Sequence, residues 1–255
     1  MADLPAPLTL ASSSRAEDAG YLALADLADL AHALQIRYRI VGGHMVSLAV
    51  AYSGVPGIPG RDTADADFGV PFEVAADPRL LPALAELGYR AEAANRFVRD
   101  HDGLLLTVDV LAPSLTGQLE TNQEHGELVL DAIPGLALAL VREPLLLDLR
   151  VRLHTGTEQQ MVVAIPDLVA ALCLKALAYL SRSADRDAVD VWRLLEAAQH
   201  TGLTTADWPT SVSSTDAQLV LRQQFGRPRA PGLRQISTDP TTQTRVRALV
   251  AAVCG

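Results

Sequence analysis

Lysine is almost absent from this sequence. Of its 21 basic residues, 20 are arginine and one, Lys175, is lysine. An Ala/Leu/Arg/Asp-rich coding bias accounts for arginine wherever a solvated positive charge suffices. The surviving lysine either escaped that bias by chance or sits where a compact, rotatable ammonium is needed in place of a planar guanidinium fork. Cysteine is scarce as well. Cys173 and Cys254 stand alone, which excludes a small domain held by a disulfide framework. Long apolar runs are missing: the greasiest stretch, Met161 to Leu180, is cut by Pro166, Asp167 and Lys175, short of the roughly 18–20 residues of a membrane span. The first twenty residues lack the basic segment and continuous apolar core of a secretory leader. No internal repeat or long low-complexity tract is present. The expectation is a soluble, cytoplasmic protein with no membrane partner.

What is present is enough to build a large core. A chain of 255 residues, 49% hydrophobic, buries about 70–75% of its unfolded surface and makes one large domain or two modest lobes without staples. Its net charge of −9 argues against binding nucleic acid through the field of the whole molecule. The charge is uneven, however. Residues 221–255 hold Arg222, Arg227, Arg229, Arg234, Arg245 and Arg247 against Asp239, a balance of +5 that leaves −14 on the rest. Such a segment either docks an anionic substrate or an acidic partner or is a solvated helical face.

The order of elements reads as α/β. Apolar residues from Ala16 to Leu34 recur at helical spacing behind the capping candidates Ser12 to Ser14. Ile36–Val41 alternates like a strand and ends in Gly42-Gly43-His44, where a helix over MVSLAVAY begins. A Gly/Pro-rich loop leads to a second strand, ADADFGV. A short helix is expected over Pro78–Leu87, then strands near Tyr89–Ala93, Arg96–Arg99 and Leu104–Leu111. Further strands are expected at Glu127–Leu130, Leu136–Val141, Leu145–Leu153 and Gln160–Ile165. Beyond Pro166 the period changes, with helices over Asp167–Leu180, Asp187–Ala198, Asp216–Gln224 and Thr242–Val253. This divides the chain into a mixed-sheet lobe, 1–165, and a helical C-terminal lobe, 166–255.

The chemistry-bearing residues concentrate in the first lobe. In Asp65-Ala66-Asp67 the period of a strand puts both carboxylates on one face, where their repulsion calls for cations or protons between them. Paired oxygen ligands suit Mg²⁺, which takes one or two protein carboxylates together with substrate phosphates. A D-x-D is equally at home on a solvated edge strand, so context decides. Upstream, Gly42-Gly43 sits at a strand-to-helix turn where backbone N–H groups can approach phosphate oxygens. Downstream, Asp109 lies inside the apolar run LLLTVDVLAP, and a buried carboxylate needs a metal, a donor or water as partner.

These residues carry a resemblance. The stretch VGGHMVSLAVAYSGVPGIPGRDTADADFGV resembles the nucleotidyltransferases of the DNA polymerase β-like superfamily, whose pattern is G-[GS], a helix, then D-x-[DE]. Its R-x-T-x-D-x-D form, with Arg61, Thr63, Asp65 and Asp67, is most similar to the AbiEii branch, which includes toxins of AbiE-type and MenT-type toxin–antitoxin pairs. A second block, IPDLVAALCLKALAYLSRSADRDAVDVWRLL, places Lys175, Arg182, Asp187 and Asp190 on that branch's pattern of Lys, Arg and K-D-x-x-D. The likeness spans about residues 36–195, and the last sixty residues match no known pattern. Two departures stand out: His44 occupies a position usually Ser or Thr, and Arg186 one usually Lys.

The resemblance implies a polymerase β-like nucleotidyltransferase lobe followed by helices, and an enzyme that moves NMP from an NTP to a hydroxyl with release of pyrophosphate. Asp65, Asp67 and Asp109 would hold two Mg²⁺ ions, with Mn²⁺ as a substitute, and Asp109 would orient or deprotonate the attacking hydroxyl. Gly42, Gly43 and His44 would cradle the triphosphate, His44 being otherwise a polar residue of the helix start. Lys175 would bind phosphate as a mobile point charge. Asp187 and Asp190 share a helix face, one orienting Lys175 or contacting nucleotide, the other pairing with Arg182 or Arg186. The acceptor implied is the 3′ end of tRNA, with an antitoxin protein as partner. The alternatives are transfer to a small, aminoglycoside-like molecule, which the acidic body favours, and a non-catalytic nucleotide-binding module, whose signature would be loss of a metal carboxylate.

Overall fold

The structure is a computed structural model that describes residues 7–255. In chain order it runs β1 (Leu8–Ala11), α1 (Arg15–Leu34), β2 (Arg39–Ile40), α2 (Gly42–Ser53), β3 (Asp65–Gly69), α3 (Phe72–Ala75) and α4 (Leu80–Glu86). Then follow β4 (Arg90–Ala91), β5 (Arg96–His101), β6 (Leu104–Pro113), β7 (Glu120–His125), β8 (Leu128–Ile133), α5 (Leu136–Val141), β9 (Leu145–Arg152) and β10 (Glu158–Ile165). Beyond Ile165 the regular structure is helical: α6 (Leu168–Arg182), α7 (Asp185–His200), a single 3-10 turn, α8 (Val212–Gln224), α9 (Pro231–Ile236) and α10 (Pro240–Cys254). This is a mixed α/β fold. No helix among the described residues is long and apolar enough to cross a membrane.

Seven strands make the sheet that carries the site, in the order β2-β3-β6-β5-β4, with β8 joining the C-terminal end of β6 and β7 pairing with β8. The β3–β6 and β6–β8 pairs are parallel, whereas β5–β6 is antiparallel. Strand β6 is apolar because it is central: Leu106, Val108, Val110 and Ala112 are fully buried. A second sheet, β1-β9-β10, packs beside α1.

Local chemistry sets the helix ends that matter. Ser14 caps α1 by accepting from the Glu17 N–H at 3.2 Å, and Glu17 reaches back to the Ser13 N–H at 2.7 Å. Asp167 caps α6 by accepting from the Ala170 N–H at 2.9 Å, and the helix stops at Ser183 in a left-handed conformation.

One expected strand is a helix. Residues Leu136–Val141 form α5, burying Leu136, Ala139 and Leu140 at helical spacing behind Gly135, whose φ is +84°. A six-residue apolar run has no decisive period, so the Pro134-Gly135 turn and the packing surface decide its form. The IRYRIV strand shrinks to Arg39–Ile40. Strands β1 and β7 and helices α3 and α9 carried no sequence signal strong enough to be expected. Strand β7, ETNQEH, is polar throughout and lies at a sheet edge.

Candidate active site

The pleat of β3 puts Asp65 and Asp67 on one face and buries Ala66 on the other. In the parallel β3–β6 register Asp67 stands beside Asp109, and in the antiparallel β5–β6 register Asp109 stands beside Arg96. Three neighbouring strands therefore present three carboxylates and one guanidinium in a row. Arg96 grips Asp109 as a fork, Nε to Oδ1 at 2.9 Å and Nη2 to Oδ2 at 2.7 Å, and its Nη2 lies 3.9 Å from Asp65. Burial, then the charges of Asp65 and Asp109, push the Asp67 pKa up to about 7, against the pull of Lys175 and Arg182.

The glycine turn is fitted to this row. Gly42 opens α2 with φ +65°, and a Cβ there would run into the Asp67 carboxylate. A Cβ on Gly43 would lie 2.6 Å from both Arg61 Nη2 and Thr63 Oγ1. The Val41 N–H donates to the Asp67 carbonyl at 3.0 Å, fastening the turn to β3. Val41 supplies no side-chain cap, so the first-turn N–H groups of α2 remain for another acceptor.

Behind α2 lie three residues that the sequence placed at the site. His44 is buried, its ring 5.4 Å from that of Tyr21, and its Nε2 has no hydrogen-bond partner. Burial lowers its pKa to about 4. Thr63 is buried with its hydroxyl unpartnered, and Arg61 turns to α7. None of the three lines the cavity described below.

The helical part contributes a cationic cluster. Lys175 of α6 places Nζ 2.8 Å from Asp190 Oδ2 and 3.5 Å from Asp187 Oδ1. Arg182 closes a fork on Asp187 at 2.7 and 3.1 Å, while Arg61 meets Asp190 at 3.2 and 3.3 Å. Arg193, which sequence reasoning did not single out, adds a third cation 3.5 Å from Asp190. Burial alone would raise the Asp187 pKa, but the Arg182 hydrogen bonds and the Lys175 and Arg182 charges hold it below the usual carboxylate range. Arg186 is exposed.

Between the two groups lies a cavity of about 200 Å³. Gly42, Asp67, Asp109 and Asp131 face it from the sheet side, Lys175 and Arg182 from α6, and Leu111, Ile133, Pro134 and Leu174 form an apolar wall. Asp131, Asn95 and Ser181, which also line it, went unnoticed in the sequence. Asp131 repeats the signal of Asp109, an acid within an apolar strand, and its Oδ1 accepts from the Asn122 N–H at 3.1 Å. Asp65 is not among the residues lining the cavity, and its side chain is close to half exposed.

Among the described residues no three carboxylate, imidazole or thiol groups converge on a ready-made ion site. The donor chemistry nevertheless fits a hard divalent cation: Asp65, Asp67 and Asp109 offer only oxygens, and the charges of Asp65 and Asp109 add to burial in raising Asp67. Mg²⁺ needs only one or two such ligands when phosphates supply the rest.

Part of the basic C-terminal segment is structural. Arg222 donates to the Cys254 carbonyl at 3.0 Å and Arg245 forks onto Glu196. Arg227, Arg229 and Arg234 are exposed. Gln235, next to Arg234, donates to the Ser183 carbonyl at 2.9 Å and accepts from Tyr179 at 2.6 Å, which ties α9 to the turn just beyond Arg182.

No family profile matches the chain, and no curated protein matches it by sequence. Solved structures similar to it include two nucleotidyltransferase-type or antibiotic-resistance proteins. An antigenic nucleotidyltransferase-like protein from Paracoccidioides brasiliensis is 16% identical with a TM-score of 0.42, over 91% of this chain and 97% of that one. The antibiotic-resistance factor ANT(2'')-Ia is 14% identical with a TM-score of 0.32, over 89% of this chain and 88% of that one.

Proposed function

We propose that this protein is a Mg²⁺-dependent nucleotidyltransferase that moves NMP from an NTP to a hydroxyl, with residues 1–165 as the transferase lobe and 166–255 as the helical lobe. The observation that carries the reading is the juxtaposition of Asp67 and Asp109 in register, beneath a glycine turn shaped to Asp67, with Lys175 and Arg182 across one cavity. Bound Mg²⁺ would neutralise charge on the triphosphate and lower the pKa of the attacking hydroxyl. Asp65 and Asp67 would hold it from β3, with Asp109 on the acceptor side. The N–H groups of Gly42 and Gly43 and the Lys175 ammonium bind phosphate oxygens, while Asp190 and Asp187 hold that ammonium in place. The apolar wall takes the nucleoside. Asp109 orients the acceptor hydroxyl and draws its proton as its oxygen bonds to the α-phosphorus. The bond from that phosphorus to the bridging oxygen breaks, and pyrophosphate leaves.

The acceptor in this reading is the 3′ end of tRNA, in the manner of a toxin restrained by an antitoxin. Exposed Arg234, next to the Gln235 that bonds to Ser183 just beyond Arg182, and exposed Arg227 and Arg229 in the same basic segment support a polyanionic acceptor. Transfer to a small cationic hydroxyl compound is the second reading, favoured by Asp131 on the cavity wall. Incubation with Mg²⁺, each NTP labelled at the α-phosphate in turn and total tRNA tests both. Labelled tRNA that disappears in Asp65→Ala and Lys175→Ala supports the first reading. Label moving to an aminoglycoside and never to RNA supports the second. No transfer with any NTP and acceptor contradicts both.

A further inference from the structure

The carboxylate that the transfer reading needs free on the acceptor side is occupied. Both oxygens of Asp109 are engaged by the Arg96 fork, the same guanidinium approaches Asp65, and the two residues are cross-strand partners on β5 and β6. Arginine keeps its charge at any working pH, so this grip is released only by movement. The two partners differ in freedom to move: the Asp109 side chain is 10% exposed and that of Arg96 is 41% exposed. Asp109 is fixed in a central strand, whereas Arg96 reaches it from the solvent side and can swing out without unpacking the core.

We propose that Arg96 is a displaceable counter-cation of the candidate metal site, standing on Asp109 until a divalent ion takes its place, so that ion binding and release of the Arg96 fork are one coupled event. The proposal rests on the reading of Asp65, Asp67 and Asp109 as metal ligands. Arg96 follows Asn95, which lines the cavity, so the released fork stays within reach of an incoming phosphate, its natural bidentate partner. Arg96 is therefore a positioning residue with two stations. In one it neutralises a buried carboxylate that would otherwise stand unpaired, and in the other it meets the anionic substrate that arrives with the ion. The coupling makes the site bind a lone ion weakly and an ion accompanied by a polyphosphate more tightly.

The test is a Mn²⁺ titration followed by electron paramagnetic resonance of the free ion, on the full chain without nucleotide. It compares wild type, Arg96→Gln, Arg96→Lys and Asp67→Asn. Removing the competing cation should tighten Mn²⁺ binding in Arg96→Gln by at least about tenfold, with Arg96→Lys between it and wild type and Asp67→Asn weaker than wild type. Saturating Mn²⁺ should raise the melting midpoint of Arg96→Gln more than that of wild type. Should Arg96→Gln not fold, Arg96→Lys against wild type makes the same comparison. Equal or weaker binding after the Arg96 substitutions, with Asp67→Asn still impaired, overturns the role of Arg96 and leaves the transferase reading standing. Absence of Mn²⁺ binding in wild type and Arg96 variants alike overturns both.

Discussion

The Lys175 ammonium lies 2.8 Å from the Asp190 carboxylate and 3.5 Å from that of Asp187, with its side chain only 6% exposed. The one lysine of the chain is thus a buried charge held between two acids one helical turn apart on α7. An arginine there would need a wider, planar space and would pair with one carboxylate as a fork instead of two as a point. Lys175→Arg should lower NMP transfer by about 100-fold, the scale of a misplacement near 1 Å. Circular dichroism should report an intact fold. Full activity in Lys175→Arg would return this lysine to the ordinary consequences of coding bias.

Asp190 carries more than Lys175. Arg61 and Arg193 converge on it too, and its side chain is fully buried. Asp190→Asn leaves Arg193 without its counter-charge and Lys175 with the more distant Asp187 alone, a loss of about 3–5 kcal/mol, measurable as a shift in the urea midpoint. Stability equal to wild type would show that the three cations are balanced from elsewhere.

Gly42→Ala adds a Cβ where the Asp67 carboxylate stands, at a backbone φ of +65°. The strain should cost about 1–2 kcal/mol of stability and displace Asp67, so activity should fall by more than the stability loss explains. Gly54 has a similar φ of +70° but open space around it. Gly54→Ala is the control: strain without the effect on transfer.

His44 gives a pH dependence of the fold. Its pKa falls from 6.5 unfolded to about 4 in the folded chain because burial disfavours the imidazolium. A depressed folded pKa means that the unfolded state binds the proton first as pH drops. Stability from this residue is full above about 6.5 and is lost progressively as pH falls toward 4, by about 3 kcal/mol in all. His44→Leu should flatten that part of the stability profile in urea titrations between those pH values. An unchanged slope would mean that other groups set it.

The legible parts of this chain were those fixed by local pattern. The alternation of ADADFGV, the glycines after IRYRIV and the 3.6 period after Pro166 placed Asp67, Gly42 and Lys175 on the elements where they lie, because each signal belongs to the segment itself. Arg96 was not singled out, since nothing in RFVRDH reports that β5 runs antiparallel to β6 and sets Arg96 opposite Asp109. Arg193 was missed for a similar reason: it lies on the same helix as Asp190, but its burial against α2 is a tertiary fact. His44 shows the converse. Its place after the glycines suggested phosphate contact, yet the first turn of α2 rotates its ring onto Tyr21, away from the cavity. LALALV, expected as a strand, is a helix: six apolar residues carry no decisive period, and the Gly135 turn sets their form.

In the proposed function Asp67 and Asp109, side by side on β3 and β6, form the carboxylate pair of a pyrophosphate-releasing transferase. The most direct measurement is Mg²⁺-dependent release of pyrophosphate from an NTP mixture, with total tRNA and an aminoglycoside pool as acceptors, for wild type and Asp67→Asn. Wild type should release pyrophosphate in a reaction that stops on chelation, and release should fall by at least about 100-fold in Asp67→Asn, the usual cost of losing a group that stabilises transition-state charge. Equal release by the two proteins, or none by wild type with any acceptor, would contradict the proposed function.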